Sequence, residues 1–386
     1  MEVNQIYVLV NDALKQSIGE EEVLSQDLSN LTALGEAVFN NKLVDKYVGS
    51  LMNKIAATKF VNRKYTGNIP SIMVEEYEFG SIINKIDVDL LEATENESWQ
   101  LEKGTAIVPT FNPPKVNEKF YHLKDNTYEI DISIAENQVK QSFRSATELN
   151  SFISMIYNEV DKAFTAREEN DAKELVATAI GMTAYKEAPT ANYSAVSTNR
   201  LVNLRKLYND EFGTNLTMAQ AKKNPEFLKY AKFVINMYKD RLATLSTAFN
   251  QEGKARFTTA ENLKCIWLSE FEKAINSYTT IQDTISNKDM LPTGDTLTCW
   301  QGSGKANAFD FANTSKIHVI TPDAHEVELS GVVGIMFDRD CMAFVNKKRY
   351  ASTEEIKKGR FYNIYNFEDH SQVLDLSENC VVFTIA

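Results

Sequence analysis

The chain has 386 residues, 43% of them hydrophobic, and a formal net charge of −12, which is an ordinary globular balance with an acidic bias. The acidic excess argues against an avid, sequence-reading nucleic-acid binder, which normally carries a basic surplus, but it is compatible with a wall that only encloses nucleic acid. No run of 18 apolar residues is present, so no transmembrane helix is expected, and the opening MEVNQIYVLVND lacks the basic and apolar regions of a signal peptide, so an intracellular chain is expected.

Residues 1–60 read as short amphipathic helices joined by polar turns. One starts near Asn41 and carries Leu43, Val44, Tyr47, Leu51 and Ile55 on one stripe. The segment is too short for a core of its own and predicts an arm that packs on other surfaces.

From about 71 to 134 the periodicity becomes two. Ile86, Val88 and Leu90 alternate with Asp87 and Asp89, and Tyr128, Ile130, Ile132 and Ile134 alternate with Glu129, Asp131 and Ser133. Strict alternation predicts strands with one apolar and one wet face. The polar, proline-bearing stretch between them reads as the far end of a two-stranded ribbon, and an isolated ribbon needs something to lie on.

Ser145 and Glu148 have capping-box spacing. Leu149, Phe152, Ile153, Ile156, Val160, Ala163 and Phe164 then recur at helical spacing, and a weaker stripe continues through Leu175, Val176, Ala179 and Ile180. Unbroken, some 36 residues would span roughly 54 Å, a rod suited to crossing an extended subunit. Two helices with a hinge at the polar run AREENDAKE are the alternative.

Residues 186–345 read as an α/β unit. Asn224 and Pro225 open a helix carrying Phe227, Tyr230, Val234, Ile235, Tyr238, Leu242, Leu245 and Phe249. LKCIWL is a buried strand. Ser269 and Glu272 predict a second capping box, before Phe271, Ala274, Ile275 and Tyr278. TLTCW, KIHVI and GVVGIMF are short apolar strands, and GRFYNIYNF and SQVLDLSENCVVFTI read as strands returning to the body.

Motifs that would carry chemistry are weak. QGSGKAN (Gln301–Asn307) resembles a phosphate loop but lacks the first glycine and the residue after the lysine, holding Cys299 and Ala306 there. His122, His318, His325 and His370 show no metal-ligand spacing, and Cys265, Cys299, Cys341 and Cys380 form no CxxC pair, so the thiols are expected to be free and mostly buried. Asp338 and Asp340 stand two apart, as paired carboxylates on one strand face or as parts of a turn. Sequons at Asn30 and Asn192 carry no meaning without a secretory signal. No catalytic, cofactor or metal residue is expected.

Charge is segregated. From Glu75 to Lys103 nine acids face two bases, net −7, and from Arg200 to Arg256 eleven bases face five acids, net +6. This predicts an acidic element, with Glu92, Glu95 and Glu97, docking on a basic one in a neighbouring copy. Lys357, Lys358 and Arg360, in KKGR, are candidates for meeting nucleic acid or an acidic neighbour.

KYVGSLMNKIAATKFV, GNIPSIMVEEYEF, FYHLKDNTYEIDISIAENQVKQSF, ELNSFISMIYNEVDKA, GVVGIMFDRDCMAFVNKKRY and KGRFYNIYNFEDHSQVLDLSENCVVF follow one another in an order and spacing that resembles the major head proteins of phi-29-type tailed bacteriophages. The likeness is weakest at about 183–260. It implies an α+β, HK-97-like capsid fold: an N-terminal arm (1–60), an extended loop or E-loop ribbon (61–134), a peripheral-domain spine helix (135–185), an axial domain (186–345), and peripheral and C-terminal strands (346–386). It implies a major capsid protein without enzyme activity or cofactor, whose copies form hexamers and pentamers around a scaffolding protein and a portal. The shell would be assembled in the bacterial cytoplasm to enclose double-stranded DNA, held non-specifically, with no membrane partner. The extra surface domain of some relatives is not expected, because the chain ends just after CVVFTI. An encapsulin-like compartment shell is the rival within the fold. A soluble hydrolase using Cys265 or the Asp338/Asp340 pair is the rival from another class.

Overall fold

The computed structural model describes residues 69–75, 82–88, 90, 91, 93, 113–122, 124–135, 146–280, 291–301 and 310–386. The expected arm at 1–60 lies outside them.

In chain order the first strands are β1 (Met73–Glu75), β2 (Ile82–Val88), β3 (Val116–His122) and β4 (Lys124–Ala135). Helix α1 (Ala146–Glu187) follows, then β5 (Leu201–Asn203) and helices α2 (Leu204–Phe212), α3 (Met218–Ala221) and α4 (Pro225–Leu242). Next come β6 (Leu263–Leu268), α5 (Ser269–Thr280), β7 (Asp295–Leu297), α6 (Phe311–Thr314), β8 (Ile317–Ile320) and β9 (Glu326–Leu329). The chain closes with β10 (Val332–Asp338), β11 (Met342–Ile356), β12 (Phe361–Leu374) and β13 (Cys380–Thr384).

These elements form two compact units. One takes in the described residues within 1–78, 125–172 and 344–371; the other takes in those within 79–124, 173–343 and 372–386. Helix α1 is a single helix of 42 residues, without the hinge weighed from the sequence, and it contributes to both units.

The first unit is built on a four-stranded sheet in the order β1-β11-β12-β4. β1 pairs parallel to β11, with Met73 opposite Phe344. β4 keeps the expected alternation: Ile134 is buried while Glu129, Asp131 and Ser133 are exposed. Val160 and Phe164 of α1 are buried, but Ala163, expected on the same stripe, is exposed; one position out of phase with Phe164, it falls on the wet face. Arg349 lies over the Phe164 ring, 4.5 Å from its centroid, and reaches Glu368 at 2.8 Å and Asp161 at 3.4 Å.

The second unit centres on a five-stranded sheet in the order β5-β13-β10-β6-β7. Its middle strands are apolar on both faces: all seven residues of β10 and all five of β13 are buried, the pattern of a covered sheet. LKCIWL forms β6 as expected, whereas TLTCW is strand only over Asp295–Leu297. Asn224 caps α4, its Oδ1 accepting from Glu226 and Phe227 amides at 3.0 and 3.2 Å, and Pro225 follows it. The helix ends at Leu242, so Leu245 and Phe249 lie beyond it, the first exposed and the second buried. The expected capping box at Ser269 does not form as such. Ser269 follows β6 directly as the first helical residue, and Glu272 accepts instead from the Thr296 hydroxyl at 2.9 Å. Strands β8 and β9 pair as a separate hairpin, in which Ile317 and Val319 are buried and His318 and Ile320 exposed. Val319 packs on α1 so closely that a Cβ on Gly181 would stand 2.2 Å from its Cγ2.

Candidate assembly surfaces

The antiparallel pair β2–β3 is a two-faced ribbon in the second unit. Its register sets Val88 opposite Val116, Ile86 opposite Glu118 and Lys85 opposite Lys119. Cross-strand partners share a face and neighbours along a strand alternate. One face therefore carries Ile86, Val88 and Val116, and the other carries Lys85 and Lys119. Ile86, Val88 and Val116 are 66%, 50% and 56% exposed, and Leu90 and Leu91 just beyond β2 are 64% and 69% exposed. Several large apolar side chains bared along one ribbon face mark an interaction site more than a solvated surface. Period-two alternation made the two faces legible in the sequence; it did not say which one the protein would leave uncovered.

Glu92, Glu95 and Glu97 lie outside the described residues. Lys357, Lys358 and Arg360 are exposed in the turn between β11 and β12, in the first unit. The turn closes with a Gly359 amide to Ile356 carbonyl bond of 3.0 Å. Arg360 follows with a positive φ of 51°.

The basic stretch 200–256 is less of a surface than its composition implies. Arg200 is buried and paired with Glu187. Arg205 spends its guanidinium on backbone carbonyls, with Nε 3.2 Å from Ile385 O and Nη1 3.1 Å from Leu216 O. Lys206, Lys229 and Lys222 pair with Asp210, Glu226 and Glu270 at 2.5, 3.3 and 3.5 Å. Charge counting along a chain cannot separate such internal struts from a docking face.

Where the structure describes them, the motifs that could carry chemistry are structural parts. Asp338 is the buried last residue of β10 and Asp340 is exposed in the following turn, so they do not share a strand face. Asp338 Oδ1 accepts from the Asp340 amide at 3.1 Å, shaping the turn. All four cysteines are buried free thiols. Burial pushes the Cys265 thiol up to about 12, which removes the thiolate a nucleophile needs. Gln301 takes a bond from the His318 amide at 2.7 Å, and the rest of QGSGKAN lies outside the described residues. His318 is exposed, 2.7 Å from Glu326, and His325 stacks on Tyr185 with 4.2 Å between centroids. The His122 side chain is also outside the described residues. His370 is buried between Tyr128 and Phe344, at 4.6 and 4.9 Å. Among the described residues no cluster of His, Cys, Asp and Glu is able to hold a metal ion, and no helix is long and apolar enough to cross a membrane.

The comparison with protein families matches residues 9–384 to the Phi29-like phage major capsid protein. No curated protein matches the chain. Among solved structures, the fold is similar to a chain in the structure of the head fiber and inner core protein gp22 of native bacteriophage P68, with 11% identity, a TM-score of 0.50, and coverage of 85% of this chain and 87% of that one. A chain in the capsid structure of Staphylococcus phage Andhra matches with 9% identity, a TM-score of 0.47, and coverage of 85% and 88%.

Proposed function

We propose, because this chain belongs to the family of Phi29-like phage major capsid proteins, that its copies associate as hexamers and pentamers into a closed head around double-stranded DNA. The structural role in a phage capsid follows from the family. The finer reading is supported by one observation, the bare apolar face of the β2–β3 ribbon. Exposed Ile86, Val88 and Val116 hold a surface that a lone subunit leaves in water, and a neighbouring copy would bury it. At about 25 cal/mol per Å² of apolar area, covering three such side chains yields a few kcal/mol per contact. Repeated around a ring, weak contacts of this size close a shell.

In this reading the fold is HK-97-like. Residues 1–60 are the arm, 61–134 the E-loop, 135–185 the spine helix, 186–345 the axial domain, and 346–386 the peripheral and C-terminal strands. Scaffolding protein and portal direct assembly in the host cytoplasm, and no side chain is catalytic. The turn bearing Lys357, Lys358 and Arg360 meets an acidic neighbour or packaged DNA, where weak, non-specific attraction suffices.

The test replaces Ile86, Val88 and Val116 together with aspartate. The variant is expected to keep the wild-type circular dichroism spectrum, because these side chains are already in water, and to yield no closed particles by negative-stain microscopy. Normal shells from it would falsify the ribbon as an assembly contact. A second variant addresses charge. Glu92→Lys, Glu95→Lys and Glu97→Lys combined reverse the acidic part of the ribbon segment, and assembly is expected to fall while the subunit stays folded. Unimpaired assembly of that variant would remove the acidic-on-basic docking between copies.

A further inference from the structure

The lysine face of the ribbon does a different job from its apolar face. Lys85 and Lys119 stand directly opposite each other, and two like charges in that position repel. Each is answered by a carboxylate of its own unit. Lys85 Nζ lies 2.6 Å from Asp375 Oδ2 and also bonds Glu378, while Lys119 bonds Glu252. Arg256 stands 3.5 Å from Glu378 and Lys254 3.4 Å from Glu252, so three carboxylates hold two ribbon cations against two further bases. Lys186 lines the same cleft of about 570 Å³ as Lys119, Glu252 and Asp375.

The acidic socket is built rigidly. The Gln251 amide donates to Leu376 O at 2.8 Å and the Cys380 amide to Phe249 O at 2.9 Å, tying the Glu252 loop to the turn between β12 and β13. Asp375 Oδ1 accepts from the Ser377 amide at 2.9 Å. The lysines are accessible: 25% and 31% of their side-chain surfaces meet solvent. The Lys119–Glu252 arm, 31% and 39% exposed, is the one that salt weakens, whereas Asp375 and Glu378, only 6% and 12% exposed, hold Lys85 in a pair that salt screens less.

We propose that Lys85 and Lys119 with Glu252, Asp375 and Glu378 form a clasp whose Lys119–Glu252 arm is released by salt, and which fixes the pose in which the ribbon offers its apolar face to a second copy of this chain. The purpose of that pose rests on the shell reading above; the clasp itself does not. Burial alone would raise the Asp375 carboxyl, but Lys85 and Ser377 reverse this and leave it at about 2. Burial likewise lowers the Lys85 ammonium, and its bonds to Asp375 and Glu378 outweigh that and raise it. The Asp375 contribution is therefore present above its unfolded value of about 4 and lost as pH falls through about 2, and that of Lys85 is present below about 10.4 and lost at higher pH. Around neutrality ionic strength is the lever.

The experiment places spin labels on Pro114→Cys and Asn215→Cys, both exposed, in the full chain, whose native cysteines are buried. Labelled protein is diluted into excess unlabelled protein so that only distances within one chain are read. At low salt one narrow distance distribution is expected. In 1 M salt, where the Debye length is about 3 Å, and in Lys119→Glu at low salt, the width should grow about twofold. Adding Glu252→Lys to Lys119→Glu should restore the narrow distribution. Equal widths in wild type, high salt and Lys119→Glu overturn the clasp, and so does a charge swap that fails to restore order. Particle formation is scored separately by microscopy. Shells formed by wild type with a salt-indifferent ribbon overturn the clasp alone, whereas absence of shells under every condition with scaffolding protein supplied overturns the shell reading alone.

Discussion

Replacing Gly334 with alanine is expected to unfold or severely destabilise the second unit, by about 3 kcal/mol. Gly334 sits in β10, the middle strand of the five-stranded sheet, opposite Trp267 on one side and Phe383 on the other. A Cβ there would stand 2.1 Å from Trp267 Cε3 and 2.4 Å from Cζ3, with the Ile266 carbonyl at 3.1 Å. The indole has no room to give way. It is buried, and its Nε1–H donates to Pro292 O at 2.9 Å, so moving the ring breaks a buried hydrogen bond as well as the packing. Thermal melting of the dispersed subunit checks the expectation, and a Gly334→Ala protein with unchanged Tm contradicts it. A second change sharpens the point. Trp267→Leu alone leaves a cavity, but combined with Gly334→Ala it vacates the space the new methyl needs. The pair should cost less than the two single changes added together, because residues in direct contact couple.

That close approach was invisible from the sequence, which showed GVVGIMF only as an apolar strand. Periodicity reports which face of an element is apolar; it does not report which two elements stack glycine against tryptophan. The same divide runs through the rest of the chain. Alternation in Tyr128–Ile134 and the apolar runs of LKCIWL and CVVFTI were legible because burial repeats with the backbone's own period. Asn224 and Pro225 were legible because a cap is a local hydrogen bond. Ser269 misled because the strand before it runs straight into the helix and leaves no position for a cap. At the ribbon, Lys85 is one of only two bases in the acidic run from Glu75 to Lys103, which sets it apart from its neighbours in the sequence. Its partners, Asp375 and Glu378, stand about 290 positions away, and no local pattern joins them. The segregation of charge was real as composition, yet Arg200 and Arg205 turned out to be internal struts.

In the first unit the expected result is that Asp171→Ala costs about 2 kcal/mol, because it removes a buried carboxylate that pairs with Arg167 and faces His370. Asp171 is buried on α1. Its Oδ1 lies 3.1 Å from Arg167 Nη2 and its Oδ2 lies 3.3 Å from His370 Nε2. Arg167 is half exposed and can turn to water, and it already donates to the Tyr128 hydroxyl at 2.8 Å. His370 cannot turn. Its ring is sandwiched between Tyr128 and Phe344, its nitrogens make no hydrogen bond, and the Asp171 carboxylate 3.3 Å away is the charge its Nε2 faces. Most of the loss should therefore pass through His370, and this is separable. Phenylalanine at 370 keeps the stack and carries no nitrogen, so Asp171→Ala should cost markedly less in a His370→Phe background than in the wild type. A urea-unfolding double-mutant cycle on the dispersed subunit measures the difference. Equal costs in both backgrounds would assign Asp171 to Arg167 and Tyr128. A coupling of 1 kcal/mol or more would make the Asp171–His370 pair one of the bonds that seat α1 on the four-stranded sheet.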